Sequence, residues 1–382
     1  MRIAIITESF PPDVNGVANS AVRVAEHLVD RGHSPLVIAP APASTRCRLT
    51  GRQPFPVVRV PSVALPRYRS FRLGMPSRKL TEALIAHAPD IVHLASPVIL
   101  GARGIALANQ HRIPAIAVYQ TDVAAYARNY YLGLAEPAAW HWLRGIHNGA
   151  ARTLAPSTAA AADLMANGVH RVWLWRRGVD TARFHPAKRH NGVRRVLAPH
   201  GEVIVGYVGR LAVEKRVDLL AAACRLPGVR VVVVGDGPAR RDLRRALPGA
   251  LFLGARHGDQ LARLYASFDV FAHTGPYETF GQTIQEALAS GVPVVAPAAG
   301  GPLDLVTPGV TGTLVPPGDS AALAGAIADL AADADRRRAY GAAARAEVAT
   351  RTWAAVGDEL IDHYAAALGR PARVASPPRV AA

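Results

Sequence analysis

The stretch Gly275 to Ala299, GPYETFGQTIQEALASGVPVVAPAA, sets the reading of the whole chain. A turn-rich lead-in, Gly275-Pro276, brings the chain to Glu278. A helical Ala/Leu pattern carrying Glu286 follows and stops at Gly291-Val292-Pro293, with Val294 to Ala296 reading as a short buried strand directly behind it. Gly291 suits the position after a helix C-cap, where a left-handed backbone favours glycine. The loop Thr279 to Gln282 opens the helix with backbone amides that no earlier turn uses, and such a start binds an anion through its N–H groups and its dipole. A carboxylate at the mouth of that loop can hold hydroxyls, and the two together suit a phosphorylated sugar. The plainer reading makes Glu278 and Glu286 ordinary acids near a helix start. A hydrolytic acid/base pair fits poorly: eight steps along one helix are about 12 Å, beyond the roughly 5 to 9.5 Å that paired glycosidase carboxylates need.

Outward from this stretch the same texture repeats. Arg2 to Thr7 reads as a buried strand, Gly16 stands before a helical pattern over Val17 to Arg31, and Pro35 to Ala39 is the next strand. Val57 to Val60, Ile91 to Ala95, Ala115 to Tyr119, Thr153 to Ala155 and Val172 to Trp175 read as further strands, alternating with helices near Ser77 to Ala88, Gly101 to His111, Ala138 to Ala150 and Ser157 to Asn167. Between Thr181 and Gly201 the texture turns to Pro, His, Arg and Asn, and a second series begins at Val203 to Val208. Its helices are expected near Val217 to Cys224, Arg240 to Leu247, Asp259 to Ser267 and Ala321 to Ala331, with strands at Val229 to Val234, Leu251 to Leu253, Val270 to His273 and Gly312 to Val315. Short apolar strands alternating with helices predict parallel sheets covered on both faces. The fold class is therefore α/β, two facing doubly wound Rossmann-like domains with a ligand cleft at their strand C-terminal ends. The expected divisions are residues 1–185, residues 186–352, a helix at 353–368 packing back toward the first domain, and a disordered tail at 369–382.

The totals narrow the function. No apolar run in the 382 residues approaches the roughly 18 to 20 needed to span a bilayer, and Met1-Arg2 leads straight into a strand without room for a signal peptide. A cytoplasmic protein is expected, and Cys47 and Cys224, without metal-ligand spacing, fit a reducing compartment. The net charge is +16, and with lysine only at Lys79, Lys188 and Lys215, 41 of the 44 Lys and Arg residues are arginine. That excess is either codon composition or an attraction to anionic surfaces. Nucleic acid is not expected, because no binding motif or interleaved aromatic platform accompanies the charge.

Three strand-end loops carry chemistry. Asn15-Gly16 can bring a phosphate to backbone amides at a helix start, and no G-x-G-x-x-G follows the first strand, which counts against a nicotinamide or flavin enzyme. Gly206-Tyr-Val-Gly-Arg-Leu-Ala-Val-Glu-Lys215 sets Arg210 and Lys215 beside a strand end. A compact ammonium there suits a point contact to phosphate, and a guanidinium can fork onto a diphosphate. Val234-Gly235-Asp236-Gly237 is a turn able to lie against a base or ribose, or only a turn.

Taken in order, N-G, V-G-R-L-x-x-E-K, V-G-D-G-P, E-T-F-G-Q-T-I-Q-E-A-L-A-S-G-V-P-V-V-A and G-G-P-x-D-L-V closely resemble the retaining glycosyltransferases of family 4, which have the GT-B fold. The resemblance covers about residues 1 to 365. The stretches S-F-P-P-D-V-N-G-V-A-N-S and V-Y-Q-T-D-V are most similar to the actinobacterial GDP-mannose-dependent α-mannosyltransferases that act on membrane glycolipids. It implies a hexosyltransferase moving mannose from GDP-mannose in α-linkage to a phosphatidylinositol- or glycosyl-diacylglycerol-type acceptor. Arg210 and Lys215 would hold the donor diphosphate, Glu278 the sugar hydroxyls, the Phe280 and Gly281 amides the sugar and phosphate, and Glu286 the ribose. Gly16 would donate its amide from the other domain; Asp236 and Gln282 would lie on the donor side; and Tyr119 and Asp122 would face the acceptor. Many relatives carry a histidine where this chain has Gln120, which can hydrogen-bond but cannot take a proton at pH 7. Gln120 is expected to orient the donor sugar, the leaving phosphate itself taking the acceptor's proton.

No cofactor or metal is expected. Asp333-Ala-Asp335 is formally D-x-D but reads as a solvated helix linker, and the histidines show no ligand spacing. Leu65 to Leu80, LPRYRSFRLGMPSRKL, mixes Arg67, Arg69, Arg72, Arg78 and Lys79 with apolar residues and is expected to contact the anionic inner face of the membrane peripherally, or else to be a solvated basic loop. Another nucleotide sugar as donor, UDP-glucose included, and a nucleotide-sugar 2-epimerase of the same architecture stand as alternatives.

Overall fold

The computed structural model describes residues 1–371 except 14, 43–52, 66–67, 96 and 121–135, and describes only the backbone for 65 and 68–71. Cys47, Arg67, Asp122 and the tail from 372 onward lie outside the described residues. Contacts divide the chain into two compact units, Met1–Arg177 with Trp353–Ala382, and Gly178–Thr352.

Unit 1 begins with β1 (Arg2–Ile6), α1 (Gly16–Asp30), β2 (Ser34–Pro40), β3 (Val57–Val60) and a hairpin of β4 (Ser62–Leu65) and β5 (Tyr68–Gly74). It continues through α2 (Arg78–His87), β6 (Ile91–Leu94), α3 (Ile99–Gln110), β7 (Ala115–Val118), α4 (Glu136–Gly149), β8 (Arg152–Ala155), α5 (Thr158–Ala166) and β9 (Val172–Leu174). The parallel sheet runs β3-β2-β1-β6-β7-β8-β9. Successive side chains of a strand point to opposite faces: Ile3 and Ile5 enter one core with Ala21, Val24 and Leu28 of α1, while Ala4 and Ile6 enter another with Leu80, Leu84 and Leu100. This two-sided burial explains why β1 reads as an unbroken apolar run. Asn15 caps α1, its Oδ1 accepting from the Val17 and Ala18 amides, an arrangement worth about 1 kcal/mol against alanine.

Unit 2 holds α6 (Asn191–Leu197), β10 (Val203–Val208), β11 (Val229–Val234), α7 (Arg240–Ala246), β12 (Leu251–Gly254), α8 (Gly258–Ser267), β13 (Val270–Ala272), α9 (Gln282–Ala289), β14 (Val294–Pro297), α10 (Pro302–Leu305), β15 (Gly312–Val315), α11 (Ser320–Ala332) and α12 (Ala334–Val348). Its sheet order, β12-β11-β10-β13-β14-β15, is that of a Rossmann fold, with the order reversing between β10 and β13. The last helix, α13 (Trp353–Ala367), returns to unit 1, where Val356, Leu360 and Tyr364 join the core of Ile3 and Ile5 and Asp358 accepts from Arg31.

Three local expectations change. The helix expected over Val217 to Cys224 is a chain of 3-10 turns, Val213–Lys215, Val217–Ala221 and Ala223–Arg225. Arg216, left-handed at φ 47°, separates the first two of these turns, and Val217, Leu219, Leu220 and Ala223 are buried along them. The polar stretch taken as the domain boundary belongs to unit 2. Phe184 lies in that unit's core, Arg345 donates to the carbonyls of Thr181 and Phe184, and Arg189 and Arg194 both bind Asp269. Few apolar residues were needed there because guanidinium-to-carbonyl and guanidinium-to-carboxylate bonds attach the segment. Finally, α12 went unread because its Ala- and Arg-rich sequence has little apolar periodicity; Asp333 caps it by accepting from the Arg336 amide, and Asp335 pairs with Arg338.

Candidate functional site

In unit 2 the loops that leave β10, β11, β13 and β14 meet at the strand C-terminal ends, where the sheet order reverses. Close backbone packing fixes them. The Gly209 amide donates to Val234 O at 3.0 Å and the Leu211 amide to Asp236 O at 2.9 Å. A Cβ on Gly235 would fall 1.9 Å from Gly209 O, and one on Gly301 would fall 2.1 Å from Phe280 O. The V-G-D-G and G-G-P motifs are thus glycine-bearing because one loop's backbone lies on another's. Gly301 also donates its amide to Glu278 O at 2.7 Å, tying the loop after β14 to the loop that carries Glu278.

The charged groups sit on this frame. Lys215 Nζ donates to Glu278 Oε2 at 2.8 Å, both side chains about one-fifth exposed, and Thr274 Oγ1 donates to Lys215 O at 2.6 Å. Arg210 is ion-paired with Glu214, and the Tyr207 hydroxyl beneath them donates to Arg210 O at 3.3 Å. His273, fully buried, lies with Nε2 3.9 Å from Glu278 Oε2, and burial pushes its pKa down to about 4, so the imidazole is neutral at pH 7. Gly281 (φ 101°) starts α9, whose first backbone bonds run from Ile284 and Gln285 to Gly281 O. No side chain caps this start, so the amides ahead of Ile284 serve no turn of the helix. One turn further, burial pushes the Glu286 carboxyl up to about 7, opposed by the Tyr265 hydroxyl and the charge of Arg183. Asp236 accepts from its neighbour Gly237 and from Arg240 and is exposed, whereas Gln282 donates from Nε2 to Gly178 O at 3.1 Å.

The expected residues of unit 1 lie at the C-terminal edge of its own sheet. Gly16 opens α1. Gln120 follows β7 and is buried, its Oε1 accepting from Arg177 Nη2 at 2.7 Å. Tyr119 does not face an acceptor: it is 2% exposed, stacked on Trp140 at 6.3 Å and edge-on to His147 at 6.0 Å. Neighbours on an extended chain point oppositely, so the residue beside Gln120 turns into the core. Glu8, beyond β1, is buried where the Gly74 and Leu100 amides donate to it, and desolvation pushes its pKa up to about 7. In the basic stretch, Arg72 is committed to Ser62 through Nε and Nη2, leaving Met75, Pro76, Arg78 and Lys79 as its described exposed members.

The chain matches known proteins along nearly its whole length. Residues 14–183 match the family described as Glycosyltransferase Family 4, and residues 190–347 match Glycosyl transferases group 1. A GDP-mannose-dependent alpha-mannosyltransferase of Mycobacterium tuberculosis (strain CDC 1551 / Oshkosh) is 49% identical, over 97% of this chain and 98% of its own. The chain belongs to glycosyltransferase family 4. A protein of the same name from Corynebacterium glutamicum is 44% identical over 98% of this chain and 91% of its own. Among solved structures, Anabaena Alr3699/HepE in complex with UDP superposes with a TM-score of 0.80 at 22% identity, covering 96% of this chain and all of that one, a likeness of fold.

For a glycosyltransferase, the unit 2 arrangement supplies two cations, an uncapped helix start and a carboxylate at one end of one sheet, Lys215 and Glu278 meeting from 63 positions apart. Among the described residues no three His, Cys, Asp or Glu side chains cluster to hold a metal ion, and the Asp333 and Asp335 of the D-x-D pattern are used in capping and pairing α12. Reading by motif missed Glu214, His273 and Arg177. Glu214 was legible as the acid beside Lys215; the other two have no local signal, since only the folded chain sets them against Glu278 and Gln120.

Proposed function

We propose that this family 4 enzyme transfers mannose from GDP-mannose, with retention, to a lipid-linked acceptor at an anionic membrane surface. The observation that carries the reading is the Lys215–Glu278 pair beside the uncapped start of α9. Glu278 keeps the ammonium in place, and a donor phosphate reaching Lys215 adds a second anion to a cation already oriented. Sugar hydroxyls then donate to Glu278, ribose hydroxyls to Glu286, and Arg210 with Lys215 stabilises charge on the departing diphosphate, as preorganised donors do. The two cations supply the charge that a divalent ion supplies in other transferases, so turnover proceeds without added metal. Gln120 has no proton to exchange at pH 7, which suits a path in which the leaving phosphate takes the acceptor's proton.

The names of the mycobacterial and corynebacterial relatives support GDP-mannose as donor. A lipid acceptor is supported by the mixture of cations and apolar groups in unit 1, since among the described residues no helix is long and apolar enough to cross a membrane and a peripheral contact would have to serve. The test is a panel of labelled GDP-mannose, UDP-glucose and UDP-glucuronate offered with a lipid extract in excess chelator. Label from GDP-mannose should enter the lipid phase as an α-mannoside. Incorporation from a UDP-sugar alone, or activity restored only by Mg²⁺, would overturn the donor or the metal-free assignment respectively.

A further inference from the structure

Arg177, three residues beyond the end of β9, is a guanidinium only 7% exposed. Burying a cation costs free energy unless its neighbours repay it, and two of them are residues on which the proposed transfer depends. Nη2 donates to Gln120 Oε1 at 2.7 Å. Nη1 lies where Gly16 has no side chain: a Cβ there would be 2.7 Å away, and among the described residues, chain neighbours and the helix's own backbone aside, the atoms it would meet within 4 Å belong to this guanidinium.

The chemistry of arginine fixes the orientation of the glutamine. A guanidinium has donors and no acceptor, so the Gln120 atom facing it must be the oxygen. The other end of the amide, Nε2, is then turned away from Arg177 and can only donate. A buried glutamine with nothing to hold it could present either end, and half of its orientations would set a carbonyl against a sugar hydroxyl or phosphate oxygen. We propose that Arg177 is a positioning residue for sugar transfer, holding Gln120 by its oxygen so that the group Gln120 turns to the donor sugar is its Nε2 amide. The proposal rests on the reading of the chain as a GDP-mannose transferase. It also gives Gly16 a second reason to be glycine: any side chain there displaces Arg177 and, through it, Gln120.

The experiment is a set of variants read by kcat, KM for GDP-mannose, GDP affinity and thermal midpoint, with the side-chain amide resonance of Gln120 recorded in the free protein. Arg177→Ala should lower kcat by about 10- to 100-fold, the scale of a reacting group held slightly out of place, while KM and GDP affinity change less than about threefold. Gln120→Ala should do the same, and the double variant should be no worse than either single one, since residues acting through one contact are not additive. Arg177→Lys, which can still donate to Oε1, should recover part of the rate. Gln120→Glu keeps a partner for Arg177 but has no N–H to offer, and should be as slow as Gln120→Ala. The Gln120 amide resonance should move in Arg177→Ala and stay near its parent position in Arg177→Lys. Additive losses, a Gln120→Glu variant with parental kcat, or an unmoved amide resonance would overturn the proposal. A parent that moves no mannose overturns the functional reading instead, and the resonance still decides whether Arg177 holds Gln120.

Discussion

The two units end their central strands in the same kind of loop and use glycine there for opposite reasons. In unit 2, Gly235 and Gly301 each lie so close to another loop that a Cβ would fall 1.9 and 2.1 Å from a backbone carbonyl oxygen, well inside contact distance. In unit 1, Gly16 faces the tip of a side chain. Backbone cannot step aside without moving a strand, whereas a guanidinium can swing. Unit 2 is therefore a rigid frame carrying paired, partly exposed charges, and unit 1 an adjustable one carrying buried polar groups. Under the proposed transfer, the contrast suits a unit that opposes the fixed charge of a diphosphate and a unit that sets one hydrogen-bonding group.

The sharpest way to break that contrast is to add the same methyl group to both. Gly301→Ala should cost 3 kcal/mol or more, the upper range for overpacking, and lower the thermal midpoint by roughly 6 to 12 °C for a unit of this size. Gly16→Ala should leave the midpoint within about 2 °C and lower turnover; equal midpoint losses in calorimetry would erase the distinction. The next effect concerns the charges of unit 2. Lys215→Ala should lower kcat by about 10² or more, and Glu278→Ala should abolish turnover while GDP still binds, as titration calorimetry would show.

A smaller effect separates the buried acids, one in each unit, that burial pushes up to about 7: Glu8 and Glu286. Between about pH 4.5 and 7 the folded chain holds protons that the unfolded chain has released, so each acid makes stability fall as pH rises through that window and adds no further pH dependence above it. If Glu286 accepts ribose hydroxyls as a carboxylate, GDP affinity should rise with pH toward 7 and then level off. Glu286→Gln should flatten that binding profile, whereas Glu8→Gln should flatten only the stability profile; a Glu8→Gln variant that alters the pH dependence of GDP binding would contradict the division of labour. The smallest expected change is at the membrane. With Arg72 occupied by Ser62, the contact should rest on Arg78 and Lys79 among the described cations, each worth about 1 kcal/mol near an anionic surface. Replacing both with serine should weaken sedimentation with anionic vesicles several-fold, more so at low salt, and leave GDP affinity as in the parent.

The alternation of strands and helices in both units was legible because a strand buried on both faces has to be apolar throughout and the helices beside it have to be amphipathic. The same local logic located the Glu278 to Glu286 loop. It failed where attachment is polar: the segment from Thr181 to Gly201 looked like a linker because arginines replace the apolar contacts by which packing is read. It failed also at Tyr119, where one step along an extended chain separates a core ring from a strand-end amide, and over Val217 to Cys224, where a chain of 3-10 turns has the composition of an α-helix.

Sequence by itself determined the two parallel-sheet units, the family, and which strand-end loops carry Arg210, Lys215, Glu278 and Glu286, because these depend on periodicity and on residue types at fixed spacing. Only the tertiary structure decided which acid faces which cation and which glycines meet backbone. It also turned the Gln120 amide by setting a buried arginine against its oxygen. Those facts join residues as far apart as Lys215 and Glu278, 63 positions, or Arg31 and Asp358, 327 positions, and no local pattern encodes a contact whose partners the chain brings together only on folding.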